Sequence, residues 1–480
     1  VAPFLGPIVI FLLWSLVSFS YAIDTYAVLQ RWTTWAAAFI FFILAVDLFT
    51  DEERVSDVLT VVFLAGAGIA LIGIFQHLNG LEFIPQASSP SSTFGHKNMA
   101  IHYIILAIPA GFGLFITSKK EWVRLAFPCL FTLQVTYLIF SRTRAGWLAF
   151  FVEIIFLTSF IIWTKNHNKF RWDLVKSRGI IYGLILFFSL IGLEQISPHV
   201  GKQTFSAKIH HTMSQMSSPE KQARVAHWLN TVAMIKDYPA LGVGVGNFAT
   251  HYPLYHRKVR KDPRFNVTVH VNAPHNDYLQ ILVETGLIGF VILIWALFRV
   301  GNSLTWVFKK SRFSAKNIHA IGLITALLGI GVVACFSFPL QMSTPPLLTF
   351  IYLALLASLT GNTKEVGLRK KQIITGSLIV GASSIFLISH QWDRLYSEFH
   401  LTKARAHFFA ENYPASTKHA LKAYTIEPQR KENLYYLGLA SLYNGQTKPA
   451  IHFLEKDLRA EPNNINALSA LGLAYGKLRG

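Results

Sequence analysis

Hydrophobic and polar positions fall into long apolar blocks parted by short polar ones, without the two-residue alternation of half-buried strands. Eleven blocks reach spanning length, roughly 17–25 residues. They lie at about 3–22, 32–50, 57–77, 98–117, 125–141, 145–164, 179–195, 277–298, 319–340, 345–361 and 372–390. The pattern predicts an all-α, polytopic integral membrane protein with eleven spans, or twelve if a further span precedes Val1. The first block shows neither a basic leader nor a cleavage-like site, so it reads as a span and not as a signal peptide. A long polar segment at about 196–276 separates spans seven and eight, and a polar tail follows span eleven. Two units are expected: a membrane domain over 1–390 and a soluble helical domain over 391–480.

The tail repeats itself. Glu427-Pro428 and Glu461-Pro462 are 34 residues apart, as are Leu437-Gly438 and Leu471-Gly472. That period, with Ala450 and Tyr475 where a small and an aromatic residue are wanted, predicts tetratricopeptide-like helix–turn–helix repeats. Each repeat leaves an apolar face that needs a neighbour, so the array should pack on the membrane domain or bind a protein partner.

Composition agrees with a membrane chain: 52% of residues are hydrophobic and 14% charged, against roughly 25% charged in soluble domains. A disordered chain and an ordinary soluble enzyme are excluded. Cys129 and Cys335 both sit in apolar runs, which excludes a disulfide scaffold. The net charge of +19 is distributed unevenly. Lys119, Lys120, Arg124, Lys165, Lys169, Arg171, Lys176, Arg178, Arg299, Lys309, Lys310, Arg312, Lys316, Lys364, Arg369, Lys370 and Lys371 fall in loops that alternating spans place on one side. That side should be cytoplasmic.

The opposite side has its own cations. Segment 196–276 holds ten Lys or Arg against three Asp or Glu, with eight of the 18 histidines. Arg142 and Arg144 occupy the tight turn between spans five and six. Guanidinium forks suit phosphate bidentately, so phosphate binding competes with simple anchoring at the interface. His275 precedes Asn276 and Asp277, good N-cap residues for span eight, and a helix N-terminus attracts anions. Gly286 and Gly289 are expected to permit close helix packing. Leu241–Phe248 reads as a glycine-rich turn near the membrane surface; nucleotide and nucleic-acid binding are not expected. His256–Lys261 suits anionic headgroups. The adjacent His210 and His211 lack metal-ligand spacing, so no metal or other cofactor is expected. Glu153, deep in span six, is either a functional carboxylate or a structural partner of another span.

These residues resemble the bacterial O-antigen ligase and polymerase superfamily, which includes protein O-oligosaccharyltransferases. The likeness rests on Ser92–Ala100, on Arg144 with Leu148, on Arg224 and Trp228 ahead of the glycine turn, and most specifically on His275-Asn276, nine residues, then Gly286-x-x-Gly289. The resemblance implies a metal-independent glycosyltransferase in the inner membrane, with its large loop and active site periplasmic. Such enzymes move a glycan from an undecaprenyl-diphosphate carrier to an acceptor hydroxyl, most simply on lipid A core, alternatively on a second glycan chain or a protein. Arg144, Arg224 and Arg142 would stabilise the departing diphosphate, and His275 would act as base or diphosphate ligand. His96, Lys97, Asn276 and Glu153 are further candidates for substrate contact. A lipid-linked glycan transporter and a membrane-anchored scaffold are the rivals outside this class.

Overall fold

The computed structural model describes residues 3–81, 83–84, 86–118, 120–166, 178–197, 223–255, 271–309, 314–360 and 370–479. His210, His211 and the basic run 256–261 lie outside these residues, as do Lys119, Lys169, Arg171, Lys176, Lys310, Arg312, Lys364 and Arg369.

The described chain is helical: α1 (Leu5–Leu16), α2 (Thr25–Leu48), α3 (Glu52–Asn79), α4 (Lys97–Thr117), α5 (Glu121–Ser141), α6 (Arg144–Asn166), α7 (Arg178–Ile196), α8 (Ala223–Asp237), the short α9 (Phe248–His251), α10 (Asp277–Phe308), α11 (Ala315–Ala334), α12 (Thr344–Thr360), α13 (Lys370–Phe409), α14 (Tyr413–Ile426), α15 (Lys431–Tyr443), α16 (Thr447–Ala460) and α17 (Ile465–Arg479). Among the described residues, nine helices are long and apolar enough to cross a membrane, and two shorter apolar helices, Leu5–Ser20 and Thr344–Thr360, complete the eleven expected blocks. The protein is an all-α polytopic membrane protein.

Side chains set the helix starts. Asp24, Asp51 and Asn276 each accept a hydrogen bond from a first-turn amide, Ala27, Arg54 and Leu279 respectively, at 2.9–3.0 Å. Such caps satisfy donors that the helix itself leaves orphaned. Helices α4 and α11 form the centre of the bundle, with 67% and 78% of their spanning residues buried, whereas the spanning part of α13 is 6% buried.

Consecutive helices alternate in direction. One face gathers the ends of α3, α5, α7 and α11 and the starts of α4, α6 and α10. It is stitched by Gln76 to Ser92 at 2.9 Å, Ser197 to the Leu78 carbonyl at 2.6 Å, and His102 to Ser337 at 3.0 Å. At the other face the Arg299 guanidinium donates to the Pro3 carbonyl at 2.9 Å. The described basic residues Lys120, Arg124, Lys165, Arg178, Lys309, Lys316, Lys370 and Lys371 all belong to helix ends on that second face.

The expected division at 390/391 falls within α13, which continues unbroken from the apolar span into the polar tail. The helices beyond it are paired hairpins whose starts repeat: Tyr413 and Thr447 are 34 residues apart, as are Lys431 and Ile465. They dock on the first face. Tyr26 and Gln30 of α2 hydrogen-bond to Glu427, and Asn463 donates to the Thr250 carbonyl at 3.3 Å.

Candidate active site at the arginine–histidine face

The site is organised around a break in α10. Gly286 adopts φ 67°, ψ −174°, a conformation open to glycine and essentially closed to other residues, and it interrupts the helix. The expectation that this glycine serves helix packing is therefore corrected. A Cβ there would fall 2.0 Å from the Ala240 carbonyl oxygen. The glycine turn docks on the break: the amides of Val243 and Gly244 donate to the carbonyls of Val283 and Glu284 at 2.8 and 3.0 Å, and the Leu287 amide donates to Pro239 at 2.9 Å. Glu284, itself buried, accepts from the Gly246 amide at 2.9 Å and from Gln280 at 2.9 Å. Asn247 ties the same turn to Asp24 by two bonds, 2.8 and 3.0 Å. The turn thus clamps α10, α2 and the loop together.

That clamp places α8 over the start of α10. The Trp228 indole donates to the Pro274 carbonyl at 2.9 Å, which holds the next residue, His275. Its backbone is left-handed, φ 57°, its ring lies 5.0 Å from Phe338 and 6.3 Å from His227, and its Nδ1 is buried without a partner among the described residues. Burial, the Arg224 guanidinium and His96 together pull its pKa down to about 4. The imidazole is neutral at neutral pH.

Arg224 starts α8, half-buried. Burial and the neighbouring Arg144 both lower its proton affinity. Neither arginine has an ion-pair partner among the described residues. Arg144 is exposed at the first residue of α6, where the helix dipole adds further positive potential. The turn before it is held tightly. Thr143 donates to Asn98 at 3.2 Å, and the Trp147 indole donates to the Leu138 carbonyl at 3.0 Å. Arg142 is left-handed at φ 54° and lies 3.5 Å from the Glu194 carboxylate, which also meets His77 Nε2 at 3.0 Å. Burial lowers the pKa of Arg142, and Glu194 partly offsets that. Its charge serves the fold first.

Arg144 therefore acts electrostatically on Arg224, and Arg224 and His96 act on His275, which links these four residues. His96 caps α4, its Nδ1 accepting from the Asn98 amide at 3.1 Å, with Lys97 next to it. Asn276 uses its side chain to cap α10. Glu153 does not join the group: it lies nine residues along α6 from Arg144, about 13 Å by helix rise, 1% exposed, and neither carboxylate oxygen has a partner among the described residues. Glu194, His77 and His227 escaped the sequence reading. Only His227 carried a signal, one turn beyond Arg224. Among the described residues no group of three or more His, Cys, Asp or Glu could hold a metal ion.

Comparison with known proteins bears on the same stretch. An uncharacterized protein of Haemophilus influenzae is 24% identical over 204 residues, 41% of this chain and 47% of that protein, so the match spans about half the length of this curated relative. Residues 127–294, which carry both arginines of the α5–α6 turn, Arg224, the glycine turn and His275, match the family model described as O-antigen ligase.

Proposed function

We propose that the protein transfers a glycan from a polyprenyl-diphosphate carrier to an acceptor hydroxyl, and that the arginine–histidine face is the periplasmic side of a bacterial inner membrane. One observation carries the reading: the Arg144 charge adds to burial in lowering the proton affinity of Arg224, and neither arginine has an ion-pair partner among the described residues. Two uncompensated guanidiniums are unfavourable until a multiply charged anion arrives. A diphosphate leaving group is such an anion, and its charge grows as the bond between its oxygen and the anomeric carbon breaks. Preorganised donors aimed at developing charge lower that barrier. The guanidiniums fill the place a divalent cation takes in other diphosphate chemistry.

His275 is assigned as the base. Burial first, and then Arg224 and His96, keep it neutral, so it can accept a proton. Once diphosphate neutralises the arginines, the potential that suppresses its basicity falls and its proton affinity rises. It then takes the acceptor hydroxyl proton as oxygen attacks the anomeric carbon. Lys97 extends the cationic rim, and His96, whose pKa burial and Lys97 both lower, borders it as a neutral imidazole. Asn276 and Arg142 act on position, through the cap of α10 and the turn before Arg144.

The acceptor we favour is lipid A core, as in an O-antigen ligase. A protein hydroxyl is the second reading. It is favoured by the 34-residue repeat of the C-terminal hairpins, which we assign to tetratricopeptide-type modules that hold a protein partner on the site face. Purified protein given labelled polyprenyl-diphosphate glycan, with lipid A core, a second carrier-linked glycan or a hydroxyl-bearing peptide in separate reactions, separates these. Labelled lipid A core supports the favoured reading; labelled peptide alone replaces it with the second; no labelled product with any acceptor refutes the transferase assignment.

A further inference from the structure

In the half of the bundle away from the arginines, α4, α5, α6 and α7 enclose a cavity of about 400 Å³. The wall is almost wholly hydrocarbon, with Phe112, Phe115, Phe127, Phe131, Phe150 and Leu157 among the lining residues. It exists because α7 packs along α5 rather than along α6. Ile154 and Leu184 line it yet are 43% and 54% exposed, so it opens sideways through the gap onto the lipid-facing surface.

The two ends differ. Toward the deep end lie Phe150 and Glu153. The shallow end is bordered by exposed cations about one helical turn or less beyond the lining: Arg124 precedes Phe127 on α5, Lys165 follows Ile161 on α6, and Arg178 precedes Ile180 on α7. Glu121 is the one acidic residue in the first turn of α5. The twelve residues from Glu153 to Lys165 span about 18 Å at 1.5 Å per residue. One leaflet, half of a roughly 30 Å hydrocarbon core, is about that deep.

We propose that this cavity binds an anionic glycerophospholipid from the leaflet opposite the arginine–histidine face. One acyl chain lies among the phenylalanines with its end toward Glu153, and the phosphate rests among Arg124, Lys165 and Arg178. Charge complementarity selects this occupant. A zwitterionic lipid brings its own cation to a rim that, among the described residues, already carries Arg124, Lys165 and Arg178. The chain of a carrier whose diphosphate sits at Arg144 and Arg224 enters from the other leaflet.

The test uses the full-length protein, stripped of lipid and then offered dipalmitoyl phosphatidylglycerol or dipalmitoyl phosphatidylcholine, with retained lipid counted by native mass spectrometry. Phosphatidylglycerol should be retained preferentially. Arg124→Gln and Arg178→Gln should each weaken retention about fivefold, the worth of one basic residue near an anionic headgroup. Leu157→Trp, which fills the cavity, should abolish retention of both lipids. The two surface variants keep the proposal testable should the tryptophan variant fail to fold. Equal retention of the two lipids overturns the proposal, as does undiminished phosphatidylglycerol binding by both surface variants. Displacement of phosphatidylglycerol by a polyprenyl phosphate overturns it too, by assigning the cavity to the carrier. None of these outcomes depends on glycan transfer, so the inference fails or stands separately from the proposed activity.

Discussion

Replacing Arg224 by glutamine separates a catalytic cation from a structural one. In the fold Arg224 is half-buried, meets no carboxylate among the described residues, and has Arg144 as a like-charged neighbour. Its removal relieves repulsion and some desolvation, so the melting temperature should hold or rise. Transfer should collapse. Loss of one preorganised donor to a developing anion costs about 10²–10³-fold in turnover, and a half-buried guanidinium is screened less by salt than an exposed one. Arg144→Gln should follow the same pattern with a smaller loss that shrinks further at high ionic strength, because Arg144 is exposed. The double variant should lose less than the product of the two single losses, since both groups serve one leaving group. The assay is the initial rate of transfer from a labelled polyprenyl-diphosphate glycan in proteoliposomes, paired with thermal unfolding of the same preparations. An Arg224→Gln variant that keeps more than about a tenth of the wild-type rate, or that loses activity only in step with its stability, refutes the reasoning.

Four further outcomes follow from particular contacts. Because His275 must be neutral to act as base and its pKa is lowered to about 4, the acid limb of kcat/KM, which reports the free enzyme, should lie near pH 4. Activity is present above that value and lost as pH falls through it; a limb near 6.5 contradicts the electrostatic coupling. Gly286→Ala forces a Cβ against the Ala240 carbonyl in a glycine-only conformation and should destabilise the fold by at least about 1–3 kcal/mol, read from thermal or denaturant unfolding. Glu194→Ala removes the buried carboxylate that Arg142 and His77 share and should cost about 3–5 kcal/mol, with transfer falling as the Arg144 turn loosens; an unchanged melting curve contradicts the clamp. Transfer should survive excess chelator, and its restoration by Mg²⁺ or Mn²⁺ after loss would show that the arginines do not suffice.

Much of the architecture was legible because each span is one contiguous apolar block, and hydropathy needs no tertiary information to find it. The limits of hydropathy are equally visible. The apolar block ends at about 390, but α13 runs to Phe409, since backbone hydrogen bonding continues where lipid contact stops. Gly286-x-x-Gly289 reads as a packing motif; only the docking of the glycine turn on the carbonyls of Val283 and Glu284 shows that the first glycine is a break. The sequence also hid the clamp beneath Arg142. Glu194 and His77 each look like a lone polar residue at a span end, and their meeting depends on how α3, α5 and α7 pack. The candidate site was proposed from residue types alone. Its assembly required α8 to lie against the start of α10, a contact between segments separated by the residues of the long loop.

The most direct measurement is single-turnover transfer from a labelled polyprenyl-diphosphate glycan to lipid A core by purified protein in excess chelator, following release of the carrier diphosphate. The account predicts stoichiometric release by the wild-type chain, with donor retained but unreacted in His275→Ala and release slowed about 10²-fold or more in Arg224→Gln. Release by all three proteins at comparable rates would contradict it.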